Sequence, residues 1–452
     1  MELLDLCYDV LIRILEEINP EDLAACARTS WGFHNFIKEN HSLHKAHYLR
    51  RFDDPRIEPS DPEPQWISEL QKLVKCKKIL ESNNMGMKQE NFKFVASTIE
   101  GLIDTGNEAH EDSLNRMQLK IWFHNAQNLD AIMYRSSLYK SAGTDSQKAA
   151  DTEEEQQLSA KLHCLYGTPA NTLGRRSFST HPYARSRVYD LRNYTDNTQW
   201  GPFREDGSMR VDWEMVESLM IVLGYNSSLC CRRNVPRTHP LWAQPFEGVI
   251  KDRSCPKYEW SIPMEPEIPI EMRDPYDISG IWSRIVCFND LYAFNFGTRQ
   301  VSSDQSRPPI FTEEALRHIQ MRLQITKLEA PGPFDNQTLP IAHFTGKSRS
   351  IDMSWDPNSN SKIKGTVQLT PEGEVRWTTI SVFYGGEERW RSEGIQVGGL
   401  TTRRGVIGTW FDKDYDPHGP AGPTAFWKVT DKAFGKIKTE QEDNDADDEH
   451  QW

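Results

Sequence analysis

No Cys-x-x-Cys pair occurs in this chain, and no apolar run approaches the roughly 18 residues that a membrane helix needs. The eight cysteines are scattered at positions 7, 26, 76, 164, 230, 231, 255 and 287, and the one close pair, Cys230 and Cys231, is adjacent. That spacing argues against structural zinc and against a disulfide framework, and it fits reduced thiols in a cytosolic or nuclear protein. The chain also lacks a G-x-S-x-G nucleophile elbow, a P-loop and a dinucleotide-binding fingerprint, so no motif points to catalysis or to a cofactor. Positive charge is in deficit: 53 Lys and Arg stand against 66 Asp and Glu, a formal net charge of −13. Such a balance disfavours nucleic acid and anionic membrane as partners. The first apolar stretch has acidic residues within it and no basic leader, unlike a signal peptide.

What the chain has is ample aromatic content, 14 Trp, 14 Tyr and 19 Phe in 452 residues, enough for packed cores in two to four domains. Its character changes along its length. Residues 1–50 have helical periodicity, and "DDPRIEPSDPEPQ" makes 51–65 a proline-rich acidic linker. Residues 66–140 read as a helical connector, 141–160 as a flexible loop and 161–270 as a mixed segment packing between the two halves. Within that segment "VDWEMVESLMIVLGYN" (211–226) predicts one more helix, ending at Gly224. The Arg- and aromatic-rich stretch 173–203 reads either as an ordered loop crossing the β domain or as a strap between the halves. From 271 to 435 short alternating runs with turn signals predict an antiparallel sheet curled into a barrel or sandwich, with Gly373 turning one hairpin. The acidic tail, 436–452, reads as disordered.

The opening stretch "LLDLCYDVLIRILEEINPEDLAACARTSWGFHNFI" holds three short amphipathic helices. Leu6, Val10, Ile14 and Ile18 recur every four residues with Leu11 and Leu15 beside them, and "NPED" restarts a helix with Asn19 as cap and Pro20 in its first position. About 50 residues bury too little surface to be reliably stable alone. This stretch resembles an F-box: Leu6, Ile14-Leu15, Pro20-Glu21-Asp22-Leu23, Ser30 and Phe33 fill the family's motif positions. Cys7 stands where the family usually has proline, and Leu43-His44 replaces the frequent Leu-Trp. The resemblance implies docking on a Skp-type adaptor, and through it on a cullin, by Leu3, Leu4, Leu6, Val10, Leu11, Ile14, Leu15, Pro20 and Leu23.

In the C-terminal half, "DPYDISGIWSRIVCFNDLYAFNF" and "GVIGTWFDKDYDPHGPAGPTAFWKV" resemble the corresponding region of a group of F-box proteins in filamentous fungi. Gly280-Ile281-Trp282 is similar to the Gly-x-Trp that opens lipocalin-like barrels, and a vertebrate F-box receptor with such a barrel is a more distant likeness. Both resemblances imply that this half binds the protein to be ubiquitylated. Arg376, Trp377, Trp390 and Arg391 fall on consecutive predicted strands, and Arg403 and Arg404 precede the strand that ends at Trp410. Arginine and aromatic side chains are the usual interface anchors. Asp412, Asp414, Asp416 and His418, in the loop that follows, complete the candidate substrate-binding set. The alternating aspartates are not an EF-hand, which needs Gly where Pro417 stands and Glu where Pro423 stands. His41, His44 and His47, three apart, predict a solvated helix edge and not a metal site.

The reading is therefore an α+β protein, an F-box and helical connector followed by a barrel-like β domain, serving as the substrate receptor of a Skp–cullin–F-box ubiquitin ligase. Two alternatives stay open: a lipocalin-like protein holding a small molecule or peptide, and a hydrolase or metal-dependent enzyme. The last needs acids and histidines that converge in space.

Overall fold

The computed structural model describes residues 6–58, 60–108, 113–143, 151–169, 175–232, 240–251, 269–288, 307–312, 314–333, 335–351, 360–416 and 419–431. The expected acidic tail therefore lies outside the described residues, as do Leu3, Leu4 and His418. The chain divides into two compact modules, one of residues 1–135, 146–162 and 250–255, the other of 136–145, 163–249 and 256–452.

The first module is helical. It opens with α1 (Tyr8–Glu16), α2 (Pro20–Ala27), α3 (Trp31–Lys38) and α4 (His41–Leu49), four helices where the periodicity predicts three. Pro20 begins α2 as expected, but Asn19 makes no side-chain cap; its Oδ1 accepts from Arg51 Nη2 at 3.0 Å instead. Ser30 caps α3, accepting from Phe33 N at 3.2 Å. Leu11, Leu15, Leu23, Ile37 and Leu43 meet in one small core. The proline-rich stretch that follows is ordered by its acids: Asp53 accepts from Asn107 N, Ser113 Oγ and Leu114 N, while Asp54 pairs with Arg56 at 2.7 Å. Beyond it come α5 (Trp66–Glu81), α6 (Met85–Glu90), α7 (Phe92–Asp104), α8 (Leu114–Trp122) and α9 (Ala126–Ile132).

The second module contains α10 (Ser137–Ser141), α12 (Arg175–Ser179), α13 (His181–Val188) and α14 (Trp213–Arg232); α11 (Glu153–Tyr166) is divided between the modules after Leu162. The expected loop 141–160 is thus overturned from residue 153 onward, where Glu153–Glu155 place three acids at a helix N-terminus, the end that favours negative charge. The helix expected to stop at Gly224 runs on to Arg232. Gly224 is needed for close packing: a Cβ there would collide with Thr168 Oγ1.

Eight antiparallel strands follow: β1 (Gly280–Phe288), β2 (Ala315–Glu329), β3 (Ile341–Ser350), β4 (Asn360–Leu369), β5 (Val375–Val382), β6 (Glu388–Gln396), β7 (Val406–Asp412) and β8 (Ala421–Thr430). Each pairs with the next and β8 pairs with β1, closing an up-and-down barrel. The β4–β5 hairpin turns at Gly373 (φ 89°), as its sequence signals. Trp282, Trp377, Phe344 and Phe426 pack inside, with Trp377 5.0 Å from Trp282 and 5.5 Å from each of the other two rings. α14 lies on the outer face of β1, β2, β7 and β8, and its run Leu219–Leu223 is buried throughout, as an all-round apolar helix must be.

Closure depends on inward-facing glycines where neighbouring strands come closest. A Cβ on Gly408 would collide with Glu393 O, and one on Gly365 would collide with Thr378 O and the Phe344 ring. Gly408→Ala is therefore expected to destabilise the barrel by about 3 kcal/mol through overpacking. Urea unfolding followed by tryptophan fluorescence would measure it. Gly373→Asn, in a turn with open space around it, should cost much less.

Candidate functional sites

In the helical module, α1 is apolar on two faces. Leu11 and Leu15 point into the small core, while Tyr8, Val10 and Ile14 are exposed, at 56%, 44% and 38%. The most exposed large apolar side chain there is Trp31 (81%) at the start of α3, and Tyr8 packs its ring on Phe36 of the same helix at 5.4 Å. The structure therefore sorts the predicted adaptor-binding residues. Val10 and Ile14 are on the surface and Leu6 is half-buried, whereas Leu11, Leu15, Pro20 and Leu23 are buried within the module itself. Those four are inner supports, because a side chain already buried among its own helices has no apolar surface left to give a partner. Tyr8 and Trp31 lie outside the aliphatic stripe, and only their size and aromaticity mark them in the sequence.

The expected solvated histidine edge is corrected at two of its three positions, since only His41 is exposed. His44 and His47 are buried; His44 Nδ1 donates to Asn40 O (2.9 Å) and His47 Nε2 to Leu15 O (3.0 Å). His47 thus ties α4 to the end of α1. Burial holds its pKa below the ordinary 6.5, so the neutral ring is the form the fold prefers. Its contribution to stability is complete above pH 6.5 and is lost as pH falls below that value. The melting temperature of the helical module should accordingly drop between pH 6.5 and 5, and His47→Gln should flatten that slope.

In the barrel module, β5 and β6 do bring Arg376, Trp377, Trp390 and Arg391 onto neighbouring strands, but not onto one surface. Trp377 points inward and donates from Nε1 to Gln396 Oε1 at 2.9 Å, so it belongs to the core. Arg376 and Arg391 point outward and share the buried carboxylate of Glu393, at 2.8 and 2.6 Å. Arg376 also lies over the Phe203 ring and Arg391 over that of Tyr415. Arg376 therefore fastens the 194–211 segment to the barrel directly and Arg391 through Tyr415, whose ring meets Trp200 at 5.5 Å, together with the 2.7 Å bond from Thr409 Oγ1 to Trp200 O. Of the Arg- and aromatic-rich stretch 173–203, Arg175–Ser179 and His181–Val188 are helices, residues 173 and 174 lie outside the described residues, and only its end, around Trp200 and Phe203, is a loop lying on the barrel. Trp390 and Trp410 form a half-buried edge-to-face pair 5.4 Å apart. Asp412 accepts from Asp414 N (2.9 Å), and Asp414 pairs with Lys413 (2.6 Å). Among the described residues no cluster of His, Cys, Asp and Glu has the form of a metal site.

Arg403 and Arg404, adjacent in sequence, have opposite fates. Arg403 is exposed and lines a cleft of about 240 Å³ with Tyr276, Asp277, Thr401, Lys428 and Asp431. Lys428 is held there by Asp277 (2.5 Å) and Asp431 (2.7 Å). Arg404 has no exposure, which removes it from any binding surface. Its guanidinium donates to the carbonyls of Cys164 (3.0 Å), Glu247 (2.9 Å), Gln244 (3.3 Å) and Leu241 (3.4 Å). Burial pulls its pKa down to about 9, so it remains a cation at neutral pH. Arg404→Met leaves those carbonyls without a donor and should cost at least about 3 kcal/mol in chemical unfolding.

One constellation was not visible in the sequence. His163 Nδ1 donates to Glu217 Oε1 (2.6 Å), its Nε2 is hydrogen-bonded to Ser177 Oγ (2.9 Å), and Ser136 Oγ donates to Glu217 Oε2 (2.5 Å). Acid, imidazole and hydroxyl are connected as in a nucleophilic triad. All three side chains are fully buried, so a substrate has no path to Ser177 Oγ, and the arrangement is a polar core network. Its members come from α11, α12 and α14, and no spacing in the chain announces their meeting.

Comparison with known families finds an F-box domain at residues 3–45. No curated protein and no solved structure matches the chain.

Proposed function

We propose that this chain is the substrate-recognition subunit of a Skp–cullin–F-box ubiquitin ligase. The observation that carries the reading is the two-faced α1 within the F-box domain. Leu11 and Leu15 hold the module together while Tyr8, Val10 and Ile14, with Trp31, offer apolar surface to a partner. F-box domains bind Skp-type adaptors, and a buried apolar cluster is the usual source of affinity in such an interface. The cullin is reached through the adaptor. The barrel module is the part that captures target proteins, with the cleft beside exposed Arg403 as the place where it does so. Catalysis in such an assembly is by proximity: the chain holds the target so that its lysines meet the conjugating enzyme at high effective concentration. The free thiols of Cys7, Cys26, Cys76, Cys164, Cys230 and Cys287 accord with work in the cytosol or nucleus.

The test is titration of a purified Skp-type adaptor onto the full-length chain and onto the double variant Val10→Asp, Ile14→Asp. Adaptor affinity should fall at least about 100-fold, ~2.7 kcal/mol, with the melting temperature unchanged, since both side chains are on the surface. Leu11→Asp should instead unfold the F-box. Equal affinity of the wild type and the double variant would sink the reading.

A further inference from the structure

Five arginines are buried among the described residues, Arg116, Arg135, Arg185, Arg284 and Arg404, and four of them are compensated. Arg116 pairs with Glu108 (2.9 Å), Arg135 with Asp151 and Arg185 with Glu314 (3.2 Å), while Arg404 has its set of carbonyls. Arg284 is the exception. It stands on β1 between Trp282 and Val286, and the register, opposite Ile319 of β2 and Phe426 of β8, places it on the inner face of the barrel. Its one hydrogen bond runs from Nε to Thr424 Oγ1 (3.0 Å), a hydroxyl that itself donates to Ile285 O. The guanidinium carbon lies 5.9 Å from the centre of the Phe426 ring, and no carboxylate pairs with it among the described residues. Burial without a counter-charge pulls its pKa down to about 10, which still leaves it charged at neutral pH.

An arginine kept charged inside a barrel, with most of its N–H groups unused, is costly unless an anion arrives from outside the chain. The inner positions toward the β1–β2 end suit such a visitor. The strand pairing puts Ser348, Ser350, Thr379 and Ser392 on the inner face there, all buried, together with Trp390 and Trp410. The acid that the register adds, Asp412 at the end of β7, is turned to Asp414 N. The opposite half of the interior is filled by the core around Trp282 and Trp377.

We propose that the barrel binds a small organic acid, whose carboxylate takes the free N–H groups of Arg284 and whose apolar or aromatic body lies against Trp390 and Trp410. Carboxylate and guanidinium meet as a two-pronged pair, which gives the site direction as well as charge. This site is independent of adaptor docking, which uses α1, and either can fail without the other.

The experiment titrates phenylacetate, indole-3-acetate and decanoate, and the primary amide of each, into the full-length chain by calorimetry, with melting temperatures in parallel. At least one acid should bind tenfold or more tightly than its amide. Arg284→Met should abolish that preference while melting, without ligand, at or above the wild type, because an uncompensated charge has left the interior. Arg284→Lys, which keeps the charge and loses the fork, should weaken acid binding about tenfold. Acids and amides binding alike, or none of the three acids binding, would overturn the proposal. So would an Arg284→Met variant that melts well below the wild type or does not fold, since Arg284 would then be a structural residue.

Discussion

A single buried cation organises the barrel module. Arg404 sits at the start of β7 and gathers carbonyls from the end of α11 and from the 241–247 segment. A helix C-terminus carries partial negative charge on its unpaired carbonyls, and Cys164 O is one of these. The cation is therefore neutralised chiefly by peptide dipoles, with no carboxylate bonded to it among the described residues, and the geometry around it is demanding. Gly167, with φ of 101°, lets the chain turn beneath the guanidinium, where any Cβ would collide with Trp242 O and Arg404 itself. Trp242 in turn meets Trp427 of β8 edge-on at 5.6 Å, so the clamp continues into the sheet. A lysine, with one nitrogen in place of three, could not span these carbonyls.

Much of the architecture was legible because it rests on local pattern. The heptad-like stripe of α1, the proline that starts α2 and the turn at Gly373 each encode their element within a few residues, and the alternation after residue 280 is that of strands with one wet and one dry face. Closure of those strands into a barrel was half legible, in the Gly-x-Trp opening and the succession of hairpins. Failures came where distant segments meet. Nothing near Arg404 distinguishes it from exposed Arg403, because its partners are some 160 to 240 residues away. The same holds for His163, Ser177 and Glu217. Glu393 is not legible because a carboxylate in an alternating strand looks solvated until two arginines and a glycine-led loop cover it.

The F-box illustrates a different ambiguity. Amphipathic periodicity says that a helix has an apolar side, but α1 has two, one for its own core and one left open. A stripe of leucines and isoleucines looks the same whether it faces inward or outward, so the motif identified the module while leaving support and contact residues mixed. Two buried histidines in α4 add a second lesson: His47 spends its ring nitrogen on the last turn of α1, and the small core gains an anchor that spacing alone presents as a wet edge.

Closure of the barrel also decides how anything could be recognised by it. Every strand from β1 to β8 has both its neighbours, and among the paired residues the longest stretch left without a second strand is the end of β2 beyond Leu323, which pairs with β3 alone. Around the rest of the barrel, capture of an extended peptide by strand addition, the sequence-tolerant route used by many open sheets, is closed. A partner must be read by side chains at the rims or through the interior. A barrel built this way is selective by default and offers little of its own chain as a template for edge-to-edge aggregation.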